Sequence, residues 1–468
     1  MTHHIGIGIT THNRRDVFVT SLAAQQRYLP PGAKLVVVDD ASTSPTPEAD
    51  FTFKTNAGIA RAKNKCLELL ADCEHIFLFD DDAYPLIDRW WLPYVDSSEP
   101  HLMRIFHDLA GRRKMKDIDI MFDDGRHVAY TGARGAMLYA HRSVLDIVGG
   151  MDPGYGRWGY EHVDWSRRIH NAGLTTWPFA DVAESAQLIR CEDEFETVDR
   201  SVPGLTRERA VKTNHARYRR TLATRSTAYH EYREARDVVI TSLFTSQPDP
   251  QRGVKWEPDI DRLGTLRASL GAQPLVVLHD ELTETDDEVT EFVRHRQAIQ
   301  PYFQRHVSAW QYLRDHPEVR YAWCVDGTDV ELFRSPFPDM VPGLLYLGCE
   351  PTTVGDDWMR RNHRAAHIAD WLTANAGRQL LNAGLIGGDR ETVMTFLHEI
   401  IREYADQHAR VFYREDRHNH GTGDMAVLNY VAYERFSESI RTGPQVCTLF
   451  RAEQTRQQAA PHTWWRHK

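Results

Sequence analysis

Ile76-Phe77-Leu78-Phe79-Asp80-Asp81-Asp82 is an apolar run that stops on three adjacent carboxylates. Tyr321-Ala322-Trp323-Cys324-Val325-Asp326-Gly327-Thr328-Asp329 repeats the plan in the second half of the chain. A buried strand that ends this way brings hard oxygen ligands to one point at a sheet edge. Carboxylates so close repel one another unless a cation lies between them. The two stretches therefore predict two metal-dependent sites, one in each half.

Working outward, the first half alternates strands and helices. Strands are expected over 5–11, 34–40 and 75–79, and helices over 15–28 and 59–70. Near-continuous apolar strands separated by helices imply a largely parallel sheet covered on both faces, an α/β architecture. Asp39-Asp40 and Asp80 to Asp82 fall at strand carboxyl ends, where open α/β sheets place their ligands. A strand-first restart at Asp237, with strands over 238–243 and 274–279, marks a second domain. Between the halves, 204–236 holds nine basic and three acidic residues. It reads as a helical connector with a solvated face, or as a groove for an anionic acceptor. The expected division is 1–203, a basic helical connector over 204–236, and 237–468.

The chain has 468 residues, too many for one ordinary core. With 41% hydrophobic and 26% charged residues, it is globular in type. A net charge of -10 argues against a dedicated nucleic-acid coat. Six cysteines without metal-ligand spacing read as reduced thiols. With no signal segment and no run long enough to span a membrane, the expectation is a soluble, cytoplasmic protein.

Four pieces of the first half fit one chemistry: Thr10-Thr11-His12-Asn13-Arg14, Val38-Asp39-Asp40-Ala41-Ser42-Thr43, Asn56 to Asn64, and Asp80-Asp81-Asp82. A later stretch extends them, from Gly149-Gly150-Met151-Asp152-Pro153 through Trp158-Gly159-Tyr160-Glu161-His162-Val163-Asp164-Trp165 to Arg168 and Gly173. In order and spacing these resemble the family-2 glycosyltransferases of the GT-A fold. The resemblance implies transfer of a sugar from a nucleotide-sugar donor, UDP-linked as first choice, with Mn²⁺ or Mg²⁺ on the donor diphosphate. Carried over by position, Thr10 and Asp39 would face the base, and Asp80 and Asp82 the ribose and metal. Thr11, Arg14, Asp40 and Lys63 would complete the donor site, with Lys63 standing where the family usually has arginine. The family usually reads Glu-Asp at the catalytic helix, and this chain reads Glu161-His162. Glu161, His162 and Asp164 are all candidates for the base that deprotonates the acceptor hydroxyl, and Glu161 is preferred. Imidazole is also a competent base near neutral pH.

In the second half, Asp326 to Asp329 is followed by Leu380-Leu381-Asn382-Ala383-Gly384-Leu385-Ile386-Gly387-Gly388 and by Gly421-Thr422-Gly423-Asp424-Met425. This set is similar to the retaining GT-A transferases, such as family 8 and the glycosyltransferase domain of multifunctional lysyl hydroxylases. The resemblance implies metal ligation by Asp326 and Asp329, close backbone approach to the sugar at Asn382 and Gly384, and Asp424 facing donor sugar or acceptor. Relatives often add a carboxy-terminal histidine to the metal, and His462 is the expected one. His418 and His420 read as part of a mobile polar loop near the acceptor.

The expected protein is thus a bifunctional transferase with two tandem GT-A domains, inverting in the first and retaining in the second. Its acceptor would be a glycan, a protein or a modified nucleobase. Two alternatives stand beside it. In one, a single domain is active and the other is a glycan-binding or scaffolding remnant. In the other, the chain is a sugar nucleotidyltransferase, which usually needs a glycine-rich phosphate loop near the first strand.

Overall fold

The computed structural model describes residues 4–106, 118–198, 204–421, 423–450 and 459–467, and of 204–207 only the backbone. The chain divides into two compact units, Met1–Glu234 and Ala235–Lys468. Each is built on a mixed, mostly parallel sheet flanked by helices, six strands in the first unit and seven in the second.

In the first unit, Ile5–Thr11 is central. It pairs in parallel with Lys34–Asp39 on one side and His75–Asp80 on the other. Phe51–Thr52 extends the sheet in parallel beyond Lys34–Asp39. On the far side Gly135–His141 runs antiparallel to His75–Asp80, and His101–Ile105 lies outside it. Ile5, Ile7 and Ile9, with Ile76, Phe77, Leu78 and Phe79, are buried. Continuous burial explains why these strands read as unbroken apolar runs. Gly8 permits the close approach of the helix Ile59–Leu69: a Cβ there would lie 2.7 Å from Cys66 Cβ.

The second unit repeats this order. Arg236–Leu243 is central, with Leu275–His279 and Thr290–Arg294 in parallel to one side. Val319–Val325 lies in parallel on the other side, followed by the antiparallel Gln379–Asp389 and then Leu345–Thr353. Ile440–Arg441 closes the edge. Numbered along the chain, the first six strands of each sheet run 3-2-1-4-6-5, and only the sixth is reversed. One reversed strand in each sheet accords with the largely parallel sheet expected, and which strand is reversed was not readable, because a strand buried on both faces looks alike in either direction.

The stretch expected as a connector contains the helix Gly204–Thr224, which lies within the first unit. Asn214 fastens it by donating from Nδ2 to the carbonyls of Tyr155, Trp158 and Gly159. Arg217 pairs with Asp152. The unit boundary falls after Glu234. All six cysteines are free. Among the described residues, no helix is long and apolar enough to cross a membrane.

Candidate functional sites at the strand ends

The first unit gathers its predicted residues at the carboxyl ends of its parallel strands. Thr10 pairs across the sheet with Asp80, and Thr11 with Asp39. The hydroxyl of Thr11 donates to Asp81 Oδ2 at 2.9 Å. Asp39 is fully buried; its Oδ1 accepts from Ser42 N at 2.9 Å, and Oδ2 has no partner among the described residues. Asp40 accepts from the backbone N–H groups of Ala57 and Gly58 at 2.6 and 3.0 Å, which pins the turn entering the helix Ile59–Leu69.

The acidic cluster is held by cations from the protein itself. Lys63 Nζ lies 2.7 Å from Asp80 Oδ1. Arg14 pairs with Asp81 and, at 3.0 Å, with Asp82. Burial is the largest influence on Asp82, and repulsion from Asp80 and Asp81 adds to it. Together they push its carboxyl up to about 7 against the pull of Arg14.

Glu161 and His162 open the helix Glu161–Asn171. Glu161 Oε1 lies 3.2 Å from His162 Nδ1, and His162 Nε2 has no partner among the described residues. Burial acts to raise the Glu161 carboxyl, but His162 and backbone N–H groups outweigh it, leaving it below the usual range. Asp164 stands apart. Its Oδ1 accepts from Tyr155 Oη at 2.9 Å and Thr221 Oγ1 at 2.7 Å, and its Oδ2 from Arg168 Nε at 2.8 Å. Three donors on a buried carboxylate make it a tie between helices.

The second unit brings together three side chains that could hold a metal ion. Ligand atoms of Asp326, Asp329 and His467 all lie within 4.8 Å of one another, and this is the sole such group among the described residues. Asp326 follows the strand Val319–Val325. His467 sits on the strand Trp465–His467, which pairs antiparallel with Val330–Leu332 and sets Val330 opposite His467. That register delivers the imidazole next to Asp329. His462, the histidine expected from sequence, lies exposed in the preceding turn.

Burial and repulsion from Asp326 push Asp329 up to about 6, with Arg305 opposing. Burial also lowers His467. Gly384 makes the space: a Cβ there would lie 2.5 Å from His467 Cε1 and 2.7 Å from Asp326 Oδ2. Asn382 helps shape this turn, its Oδ1 accepting from Gly384 N at 2.6 Å while its Nδ2 donates to Glu350 at 2.8 Å.

Asp424 precedes the helix Met425–Arg435 without capping it through its side chain. Instead its Oδ2 accepts from Arg305 Nε and Nη2 at 3.2 and 2.7 Å, and His306 Nε2 lies 2.6 Å away. Burial works to raise Asp424, yet Arg305 and His306 overcome it and hold the carboxyl far below its ordinary range. Thr422 lies outside the described residues. His420 is buried, its Nε2 3.2 Å from the backbone carbonyl oxygen of Glu403, so this part of the loop is anchored.

Arg305, His306 and His467 were not legible as site residues. The first two reach Asp424 across more than a hundred positions, with no local motif to mark them. Compared with known proteins, the chain matches no protein-family model, and no curated protein matches it.

Proposed function

We propose that the chain is a tandem glycosyltransferase with two GT-A domains, moving sugars from nucleotide-sugar donors, UDP-linked as first choice, to an acceptor hydroxyl. The observation that carries this reading is the convergence of Asp326, Asp329 and His467 beside the end of the second unit's fourth strand. Two carboxylates and one imidazole form a mixed oxygen and nitrogen set that suits Mn²⁺ well and Mg²⁺ less well. The shared 3-2-1-4-6-5 strand order and the acidic strand ends of both units support one fold type used twice.

A divalent ion there would offset the charge of the departing diphosphate. The chain's own residues would do the rest. In the first unit, the free Oδ2 of Asp39 is a buried acceptor ready for an N–H of the nucleobase. Glu161 or His162 would take the proton of the acceptor hydroxyl as it attacks the anomeric carbon, which inverts the configuration. In the second unit, Asp424 is held ionised and would face the donor sugar or acceptor in a retaining transfer. The acceptor class is a glycan, a protein or a modified nucleobase.

Metal-dependent donor hydrolysis in Asp80→Ala and Asp326→Ala variants tests the reading. Each substitution should remove one of two activities, and unchanged turnover in both would refute the metal roles. A second reading, with turnover in the second unit alone, draws on the pairing of Asp80 and Asp82 with Lys63 and Arg14. It predicts that only Asp326→Ala silences the enzyme.

A further inference from the structure

Arg305 belongs to none of the motifs that mark the second unit, yet its guanidinium is shared between two of their carboxylates. It projects from the helix Pro301–Asp315. Nη1 pairs with Asp326 Oδ1, while Nε and Nη2 donate to Asp424 Oδ2. Asp424 has a second support in His306, on the same oxygen.

The other oxygen of Asp326 faces elsewhere. A Cβ on Gly384 would lie 2.7 Å from Asp326 Oδ2 and 2.8 Å from His467 Nε2, so these two atoms flank one point. One carboxylate thus separates two positions for positive charge: a resident guanidinium on Oδ1, and the ligand group of Asp329 and His467 on the side of Oδ2. A guanidinium has five N–H donors in a rigid fork, and the two carboxylates engage three of them. Two remain for a further anion. The Arg305 side chain keeps 18% of its surface exposed. Asp326 itself follows the strand Val319–Val325, next to the central strand Arg236–Leu243 where the strand order switches sides, the place where open α/β sheets bind ligands.

We infer that Arg305 and the Asp326–Asp329–His467 group together form a two-cation clamp for the diphosphate of a nucleoside diphosphate. Arg305 turns its unused donors to the phosphate oxygens. The inference rests on the metal reading of the second unit and adds the diphosphate contact.

Titration calorimetry on the full-length chain tests it, first with MnCl₂ alone and then with UDP at saturating Mn²⁺. Binding that Asp326→Ala abolishes reports this site. In Arg305→Met, Mn²⁺ alone should bind as tightly as to wild type or up to roughly tenfold tighter, because a neighbouring positive charge is gone. UDP should bind roughly thirtyfold more weakly, the scale of a lost charge-assisted bidentate contact. Arg305→Lys should fall between, keeping the charge without the fork. Mn²⁺ and UDP affinities that weaken in step would mark Arg305 as a mere support for Asp326 and overturn the clamp. UDP affinity indifferent to Arg305 would overturn the clamp and leave the metal site standing. A wild-type chain that takes up no Mn²⁺ removes both.

Discussion

Gly384→Ala is the sharpest probe of the second unit, because it adds a single methyl group at the point where the proposed ligands meet. The new Cβ would lie 2.5 Å from His467 Cε1, 2.7 Å from Asp326 Oδ2 and 2.8 Å from His467 Nε2. Ordinary contact needs about 3.5 Å or more, so at least one ligand must retreat by roughly 1 Å. Neither retreats freely. The His467 backbone is paired with Val330, and its ring packs on Phe450 with centroids 4.6 Å apart. Asp326 is tethered by Arg305 and by its own N–H, which donates to Gly384 O at 3.0 Å. Overpacking of this kind costs about 1–3 kcal/mol of stability. Metal ligation is far less forgiving, since ligand distances must hold to within about 0.2 Å. Mn²⁺ affinity at this site should therefore fall by about a hundredfold or more while the protein stays folded. Gly377→Ala is the matched control, because a Cβ there meets nothing within 4 Å. Calorimetric Mn²⁺ titration and thermal unfolding of both variants give the two readouts. If Gly384→Ala loses stability as expected but binds Mn²⁺ like wild type, the ion does not sit between Asp326 and His467.

Other outcomes follow from the remaining geometry. Asp164→Ala strips a buried carboxylate from Arg168, Tyr155 and Thr221. It should cost the first unit about 3–5 kcal/mol in thermal or denaturant unfolding, the range for leaving a buried charge unpaired. A loss below about 1 kcal/mol would mean that Asp164 is free for chemistry after all. Glu161→Gln should instead leave the unfolding midpoint nearly unchanged and abolish transfer by the first unit; retained transfer would pass the base role to His162. Acid should destabilise both units. Burial lowers His101 and His420 to about 4 in the folded chain, while an exposed histidine titrates near 6.5. The unfolded state therefore takes up protons first as pH falls. Stability declines from pH 6.5 down to about 4, by about 1.4 kcal/mol per pH unit for each histidine. His101→Gln should flatten that slope for the first unit in unfolding curves between pH 7 and 4.5, and an unchanged slope would contradict the assignment.

What was legible in the sequence was whatever a local pattern encodes. Runs such as Leu35 to Val38 and Ile76 to Phe79 announce buried strands, and the acidic residues that end them announce the sheet edge. Those elements fall where they were expected, within a residue or two. Strand direction is not local, so the reversal of Gly135–His141 and Gln379–Asp389 stayed hidden. Partner choice is not local either. His462 and His467 stand five positions apart in one segment, and only the pairing of Trp465–His467 with Val330–Leu332 selects the second. Asp164 stayed a candidate beside the preferred Glu161, because the donors that occupy it include Thr221, 57 residues away on another helix.

The two units also show why a repeated strand order does not guarantee a repeated site. Each ends its fourth strand in clustered carboxylates, and each must relieve the repulsion that results. The first does so with its own cations: Lys63 serves Asp80, and Arg14 serves Asp81 and Asp82. In the second, Arg305 serves Asp326 and Asp424, while Asp329 Oδ1 is buried without a partner among the described residues. The demand for positive charge left unmet therefore falls on Asp329, beside an imidazole and the outward oxygen of Asp326. Gly384 keeps that point open, since a Cβ there would crowd the His467 ring and Asp326 Oδ2. A small ion would meet that charge deficit, which is why the second unit makes the stronger case for metal dependence.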